Sequence, residues 1–418
     1  MSSGKFLSHT FRFDGFFIGL VIALMACGIT LVYSATVSDE IPVFDTFWFK
    51  QITYFLFGLG IAGALTFVRI DWLKRAAVPL YAVSLVLLVV VLFFAGDVVK
   101  GAGRWIDLGF FKLQPSEFAK IAYLLVISYW LSRHPVNLAK VKTFVVPFFL
   151  FIVPFGLVLK QPDLSTALVF IAVTMVGFFF AGLTVADMFL IVSPVCSVLF
   201  SHSQSIEYQV LWGMLICAVV VTLFRRHLPK ILSGFFLFTN ILAGYASSMV
   251  WNMLEPHQQK RVNTFLDPMS DPLGDGYQVL QSMTAIGSGG LTGKGFGNGT
   301  QTNLAFLPEE HTDFIFSVLG EQFGFAGCAV VLVLYALFLW RATSISKLTS
   351  DSFVTLMVMG ASTIFLFHIL VNIAMTIGLM PVTGLPLPFL SYGGSFALTC
   401  SVLVGFLVCL RYQSSRRM

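Results

Sequence analysis

Apolar residues recur along this 418-residue chain in blocks of about 18–25 positions, set apart by short polar stretches, from one end to the other. Blocks of that length suit helices that cross about 30 Å of hydrocarbon. They predict helices near 15–36, 48–68, 76–95, 116–132, 143–159, 165–183, 186–202, 207–224, 231–251, 312–340, 352–374 and 394–411. The pattern is weakest from 186 to 224, where Pro194, His202 and a polar SHSQSIE connection interrupt it. The first run, Gly15 to Thr36, is long enough to span, unlike the short apolar stretch of a secretory signal, and reads as a retained helix. The expected fold class is an all-α polytopic membrane protein of about 10–12 transmembrane helices, a single integral domain over residues 1–418.

One interval departs from this pattern. Residues 252–311 read as a large loop outside the membrane, and the window from Glu255 to Glu321 holds eight of the 20 acids: Glu255, Asp267, Asp271, Asp275, Glu309, Glu310, Asp313 and Glu321. Chemistry is sought there first. The composition, 57% hydrophobic and 11% charged, against about 25% charged in soluble domains, marks a membrane protein and gives no reason to expect a nucleic-acid partner. The net charge of +5 matters through its placement. With the N-terminus in the cytoplasm, 16 of the 25 Lys and Arg fall inside, so both termini are expected there and the loop outside the bacterial cytoplasmic (inner) membrane. The segments Lys100–Lys112, Lys160–Ser165 and Gly378–Ser395 then face outward with the loop. Irregular backbone at membrane depth is tolerated where protein buries it or it lines a wet cavity, so these segments are expected to roof and wall one cavity. The six cysteines sit in apolar runs without metal or redox spacing and read as packing residues.

Several constellations carry candidate chemistry. DPLGDGYQ, Asp271 to Gln278, has the glycines and proline of a sharp turn, and Asp271 is plainly read as a turn residue. Asp267 and Asp275 beside it exceed what a turn needs and make Asp271 eligible as a general base. GSGGLTGKGFGNGT, Gly287 to Thr300, fails the phosphate-loop pattern and reads as flexible backbone, a disordered loop or a close approach to a ligand. In LPEEHTDFIF, Thr312 or Asp313 can cap the following helix, while His311 suits hydrogen bonding or proton shuttling better than metal binding. GRWIDLGFFKLQPSEFAK places Arg104, Trp105 and Lys112 ahead of a helix with Pro115 in its first turn. Glu117 and Lys120, three apart, share a helix face, and an ionisable pair at the edge of a span is a functional-site hypothesis as well as a salt bridge. Asp163 in KQPDLSTA precedes a helix it can cap.

The stretches GAGRWIDLGFFKLQPSEFAKI, KQPDLSTALV, RVNTFLDPMSDPLGDGYQVLQSMTAIGSGGLTGKG, FLPEEHTDFIFSVLGEQFGFAG and GLMPVTGLPLPFLSYGGS resemble, in order, the motifs of the bacterial shape, elongation, division and sporulation family (RodA, FtsW and SpoVE). AIGSGGLTGKG and NGTQTNLAFLPEEHTDFIF look more like the RodA branch. The resemblance implies a peptidoglycan glycosyltransferase that polymerises lipid II beside a class B penicillin-binding protein in the elongation machinery. It also implies that Asp271 is the essential aspartate. Ser165 stands where the family pattern has glycine, Asp275 adds an acid, and the family has ten spans where about twelve are read here. The implied reaction expels undecaprenyl diphosphate with inversion. Arg104, Lys112 and Lys120, or a divalent cation such as Mg or Mn, would hold the diphosphate, with Trp105, Glu117, Asp163, His311 and Ser391 as further substrate-binding candidates. A lipid II flippase and a non-catalytic scaffold are the rival readings.

Overall fold

A computed structural model of the chain describes residues 14–36, 42–94, 105–107, 112–202, 206–253, 259–260, 263–265, 267, 269, 274–303, 306 and 309–416. Twelve long helices form where the apolar blocks lie. They are α1 (Gly15–Thr36), α2 (Phe47–Thr66), α3 (Ile70–Phe94), α4 (Pro115–Leu131), α5 (Lys142–Lys160), α6 (Leu164–Phe180), α7 (Val185–His202), α8 (Ile206–Arg226), α9 (Lys230–Tyr245) and, beyond the insert, three more. The short helix α10 (Ser247–Met253) follows α9, and the insert itself contributes α11 (Asp275–Ser288) and α12 (Thr300–Asn303). The chain then ends in α13 (Ile315–Ser344), α14 (Ser352–Thr376) and α15 (Gly394–Arg416). Ile106–Asp107 and Lys112–Leu113 pair as a two-residue antiparallel ribbon. Among the described residues seven helices, α1, α3, α5, α8, α13, α14 and α15, have the length and apolar composition of a membrane span on their own, or eight spans if α9 and α10 form one. The irregular 186–224 stretch is two real helices, α7 and α8, which pack with α9 as a trio at the side of the bundle.

Small residues set the tightest contacts. α2 lies against α15 because Gly58 faces Ser401 and Gly405 faces Ala62; a β-carbon at Gly58 would sit 2.2 Å from Ser401 Oγ. Without a hydrophobic force to drive helices together in lipid, such close backbone approach supplies the attraction.

Helix ends that the alternating topology places on one side are joined there by ion pairs. Asp14, just before α1, takes Arg341 Nε at 2.7 Å from the end of α13 and Arg411 Nη1 at 2.9 Å from α15. Lys74 of α3 meets Asp351 before α14 at 2.8 Å, and Arg226 at the end of α8 meets Asp187 in α7 at 2.8 Å. Gln413 accepts the Ile70 N–H at 3.1 Å. Replacing Asp14 with Ala strands two guanidinium groups and is expected to cost about 2–3 kcal/mol, the scale of hydrogen bonds to charged groups. The check is a lower thermal midpoint of the purified protein, which Asp14→Asn lowers less.

Candidate active site

The four irregular segments expected to share one side are stitched together at the end opposite the Asp14 clasp. Gln114 Nε2 donates to Asp163 Oδ2 at 3.3 Å, and Ser395 Oγ accepts the Gln114 N–H at 3.1 Å and donates to Lys112 O at 2.6 Å. Ser165 Oγ donates to Thr383 O at 2.5 Å. Ser282 Oγ donates to Thr376 O at 2.6 Å, and Asn372 Nδ2 donates to Asp313 O at 2.9 Å. Tyr392 N–H donates to His311 O at 2.9 Å.

The segment after α14 runs as irregular backbone through the packed helices, with Leu385, Leu387, Phe389 and Leu390 buried. An unpaired carbonyl there would cost several kcal/mol, and polar side chains from the surrounding helices meet one after another. Asn372 donates to Leu385 O at 2.8 Å, Tyr335 to Pro388 O at 2.5 Å, and Gln51 to Leu390 O and Ser391 O at 3.5 and 3.4 Å. Ser391 Oγ accepts the Leu387 N–H at 2.8 Å. Pro381, Pro386 and Pro388 carry no N–H and so demand no acceptor.

Next to this segment lies a buried charge chain. Pro115 opens α4, so Glu117 falls in its first turn and Lys120 one turn on. Lys120 Nζ donates to Glu117 Oε1 at 2.7 Å, with 1% and 6% of the two side chains exposed. Nζ also lies 3.1 Å from His368 Nε2. An ammonium can only donate, so Nε2 accepts, the proton resides on Nδ1, and Nδ1–H donates to Pro386 O at 3.1 Å. Glu117 Oε2 is buried with no hydrogen-bond partner among the described residues.

The glycine run, read from sequence as flexible backbone, is instead fixed. Gly324 has φ 63° and breaks α13, leaving backbone groups on both sides of the break without helical partners. The run supplies them. Lys294 and Gly295 N–H donate to Glu321 O and Gln322 O, both at 3.0 Å, while Phe325 and Ala326 N–H donate to Gly290 O and Leu291 O at 2.9 and 3.0 Å. Glycine is required because a β-carbon at Gly293 would lie 2.1 Å from Gln322 O. The buried Glu321 carboxylate gathers Lys294 Nζ at 2.8 Å, Thr300 Oγ1 at 3.1 Å, Gln301 N–H at 2.9 Å and Thr302 Oγ1 at 3.1 Å.

Burial, reinforced by the Glu321 charge, pushes the Glu310 carboxyl up to about 8. Burial likewise holds His311 below the ordinary imidazole range, with Glu309 working in the opposite direction. The His311 ring stacks on Phe47 with centroids 4.4 Å apart. Neither Thr312 nor Asp313 caps α13, as the sequence suggested. The cap position is Phe314, without a side-chain bond, and the Glu309 carbonyl takes the N–H groups of Thr312 and Asp313 in a turn just before it.

Of the residues nominated from sequence, Asp271 and Arg104 lie outside the described residues. Trp105 is 43% exposed, and Lys112 is exposed. Asp163 accepts the Thr166 N–H at 3.1 Å as the cap of α6 while its other oxygen holds Gln114. Sequence reasoning passed over His368, Asn372, Gln51 and Gln114; a polar residue inside an apolar block was the available signal for the first two.

The profile of one protein family, described as cell cycle protein and covering FtsW, RodA and SpoVE, matches residues 15–214 and 209–416. The chain belongs to this family. It is 34% identical over 422 residues to the peptidoglycan glycosyltransferase RodA of Treponema pallidum, covering 95% of this chain and 97% of that protein. It is also 34% identical to the peptidoglycan glycosyltransferase MrdB of Escherichia coli K12, covering 96% and 93%. Among solved structures, a chain of a peptidoglycan synthase complex that coordinates polymerization and crosslinking superposes with a TM-score of 0.72 at 29% identity, covering 96% and 98%. The Thermus thermophilus rod shape determining protein RodA gives 0.63 at 26% identity, covering 96% and 97%. The long helices of this FtsW, RodA and SpoVE relative thus follow an architecture already seen in solved members.

Glu310 gives a pH signature. Unfolded, its carboxyl loses its proton near 4.5; folded, it keeps the proton to about 8. Between those values the unfolded chain binds fewer protons, so the stability that Glu310 allows is complete below 4.5 and falls away as pH rises through 8. Glu310→Gln cannot ionise. Its thermal midpoint is expected to gain steadily on wild type across that window and to level off above it; parallel curves would refute the assignment.

Proposed function

We propose that this chain is a peptidoglycan glycosyltransferase that polymerises lipid II into glycan strands at the outer face of the bacterial cytoplasmic membrane, both termini being cytoplasmic, during cell elongation. The observation that carries the reading is the Glu117–Lys120–His368 chain beneath the stitched end. It leaves Glu117 Oε2 without a partner among the described residues, in an almost fully buried side chain. Buried polar atoms are seldom left unmet, so an unmet one beside a lysine suits a ligand that brings both hydroxyl and phosphate groups.

In the reaction, a sugar hydroxyl of one lipid-linked disaccharide attacks the anomeric carbon of another chain's terminal sugar. The new C–O bond forms as the bond to the diphosphate breaks, and undecaprenyl diphosphate leaves with the electron pair and inverted configuration at carbon. Asp271 takes the hydroxyl proton, which requires an approach of about 2.6–3.2 Å in the reacting complex. Lys120, with one Nζ–H beyond its two bonds, and Lys112 and Arg104 offset the charge growing on the diphosphate. Holding two lipids side by side supplies much of the remaining acceleration. Trp105, Asp163, His311 and Ser391 line or brace the cavity. A divalent cation such as magnesium or manganese, bound to the diphosphate, would serve the same role; among the described residues no three His, Cys, Asp or Glu side chains cluster as metal ligands. A relative solved within a complex of polymerization and crosslinking supports a transpeptidase partner, which we assign as a class B penicillin-binding protein.

The test uses purified protein, its partner and lipid II. Asp271→Asn is expected to lose at least about 100-fold in polymer formation, the scale of a removed general base. Equal polymer from wild type and variant removes Asp271 from catalysis. If neither polymerises but both move labelled lipid II across vesicles, the protein is a flippase; if they do neither yet bind the partner, it is a scaffold.

A further inference from the structure

A crevice of about 310 Å³ opens where α5 and α6 meet α7 and α9, walled by Phe144, Phe151, Phe178, Ile191, Leu232 and Phe236. Its volume falls at the lower edge of ligand sites, about 300–1,000 Å³. The wall offers nothing polar. Thr174 alone carries a hydroxyl there, and that group is taken by Phe170 O at 2.6 Å and Tyr123 Oη at 2.5 Å. Water or a polar ligand would therefore find no partner inside, whereas a hydrocarbon chain would.

The rim has the opposite character. Val141 and Leu232 line the crevice, which puts Lys140 just before α5, Lys142 at its first position and Lys230 at the first position of α9 beside that end of it. All three lysines are exposed, and none pairs with an acid among the described residues. Two other cations near this end are engaged, Arg226 by Asp187 and Arg133 over the Tyr129 ring. An apolar slot under an unpaired basic rim matches one class of molecule. We propose that the crevice binds an acyl chain of an anionic phospholipid whose phosphate rests on Lys140, Lys142 and Lys230, filling the seam between the α7–α9 trio and the rest of the bundle.

The experiment is native mass spectrometry of the full-length detergent-purified protein exposed to equal amounts of phosphatidylglycerol and phosphatidylcholine. Wild type should retain one phosphatidylglycerol after the bulk lipid is stripped. Each lysine near an anionic lipid favours it about fivefold, so Lys140→Gln, Lys142→Gln and Lys230→Gln together should reduce retention at least about tenfold. Ile191→Trp, which fills the crevice and leaves the rim intact, should do the same. Because the lysines are exposed, their variant folds and decides the matter even if Ile191→Trp does not. Equal retention of the two lipids, or unchanged retention in the lysine variant, overturns the proposal. Loss in the lysine variant alone, with a folded Ile191→Trp binding normally, overturns the placement of the chain in the crevice.

Discussion

The architecture of the end opposite the Asp14 clasp rests on the cost of an unmet carbonyl in an apolar interior. A chain of Gly, Pro and Leu cannot pass through packed helices as irregular backbone unless each carbonyl finds a donor. Thr383, Leu385, Pro386, Pro388, Leu390 and Ser391 find theirs on α6, α13, α14 and α2: Ser165, Asn372, His368, Tyr335 and Gln51. Those donors are spread over four helices, so satisfying one loop also fixes how those helices stand to one another. A side chain chosen for this duty cannot be exchanged for an apolar one of equal volume without leaving a buried acceptor bare.

The same economy explains why the charged pair is buried next to that loop. His368 touches Pro386 O with one ring nitrogen and Lys120 with the other, so the backbone path and the ammonium are held by one ring. Lys120 also lies over the Phe396 ring, 5.6 Å from its centroid, and Phe396 stacks on His368. These contacts leave Lys120 little freedom to rotate. A cation fixed before the ligand arrives need not reorganise as charge develops, which is where preorganised electrostatics gains its advantage over water.

Much of this was legible in the chain. Length and hydropathy placed all twelve long helices, because apolar blocks of that size have few alternatives in a membrane, and the alternation of blocks brought the four irregular segments to one end. Pro115 and the Glu117–Lys120 spacing announced a helix start and its ion pair. What escaped was tertiary in origin. GSGGLTGKGFGNGT looks mobile by composition, yet its backbone completes a helix broken at Gly324, a partner 31 residues on. Nothing local in Lys294 or Thr302 announces that both grip Glu321. Ser165 stands where the family has glycine, and nothing around it in sequence announces that its hydroxyl holds Thr383 O.

The two ends of the bundle are held by different forces, and the difference suits the chemistry. At the Asp14 end, helices are clasped by ion pairs whose cations are partly exposed, which salt and competing ions can reach. At the opposite end nearly every stitch joins a neutral side chain to a backbone carbonyl or hydroxyl. An incoming diphosphate would compete for cations used as clasps and would loosen an end built that way. In the proposed reaction, an end fastened by neutral hydrogen bonds keeps its cations for the diphosphate. An ion pair at that end, Lys294 with Glu321, joins a carboxylate already surrounded by hydroxyl and backbone donors, so an anion that drew Lys294 away would not leave Glu321 bare.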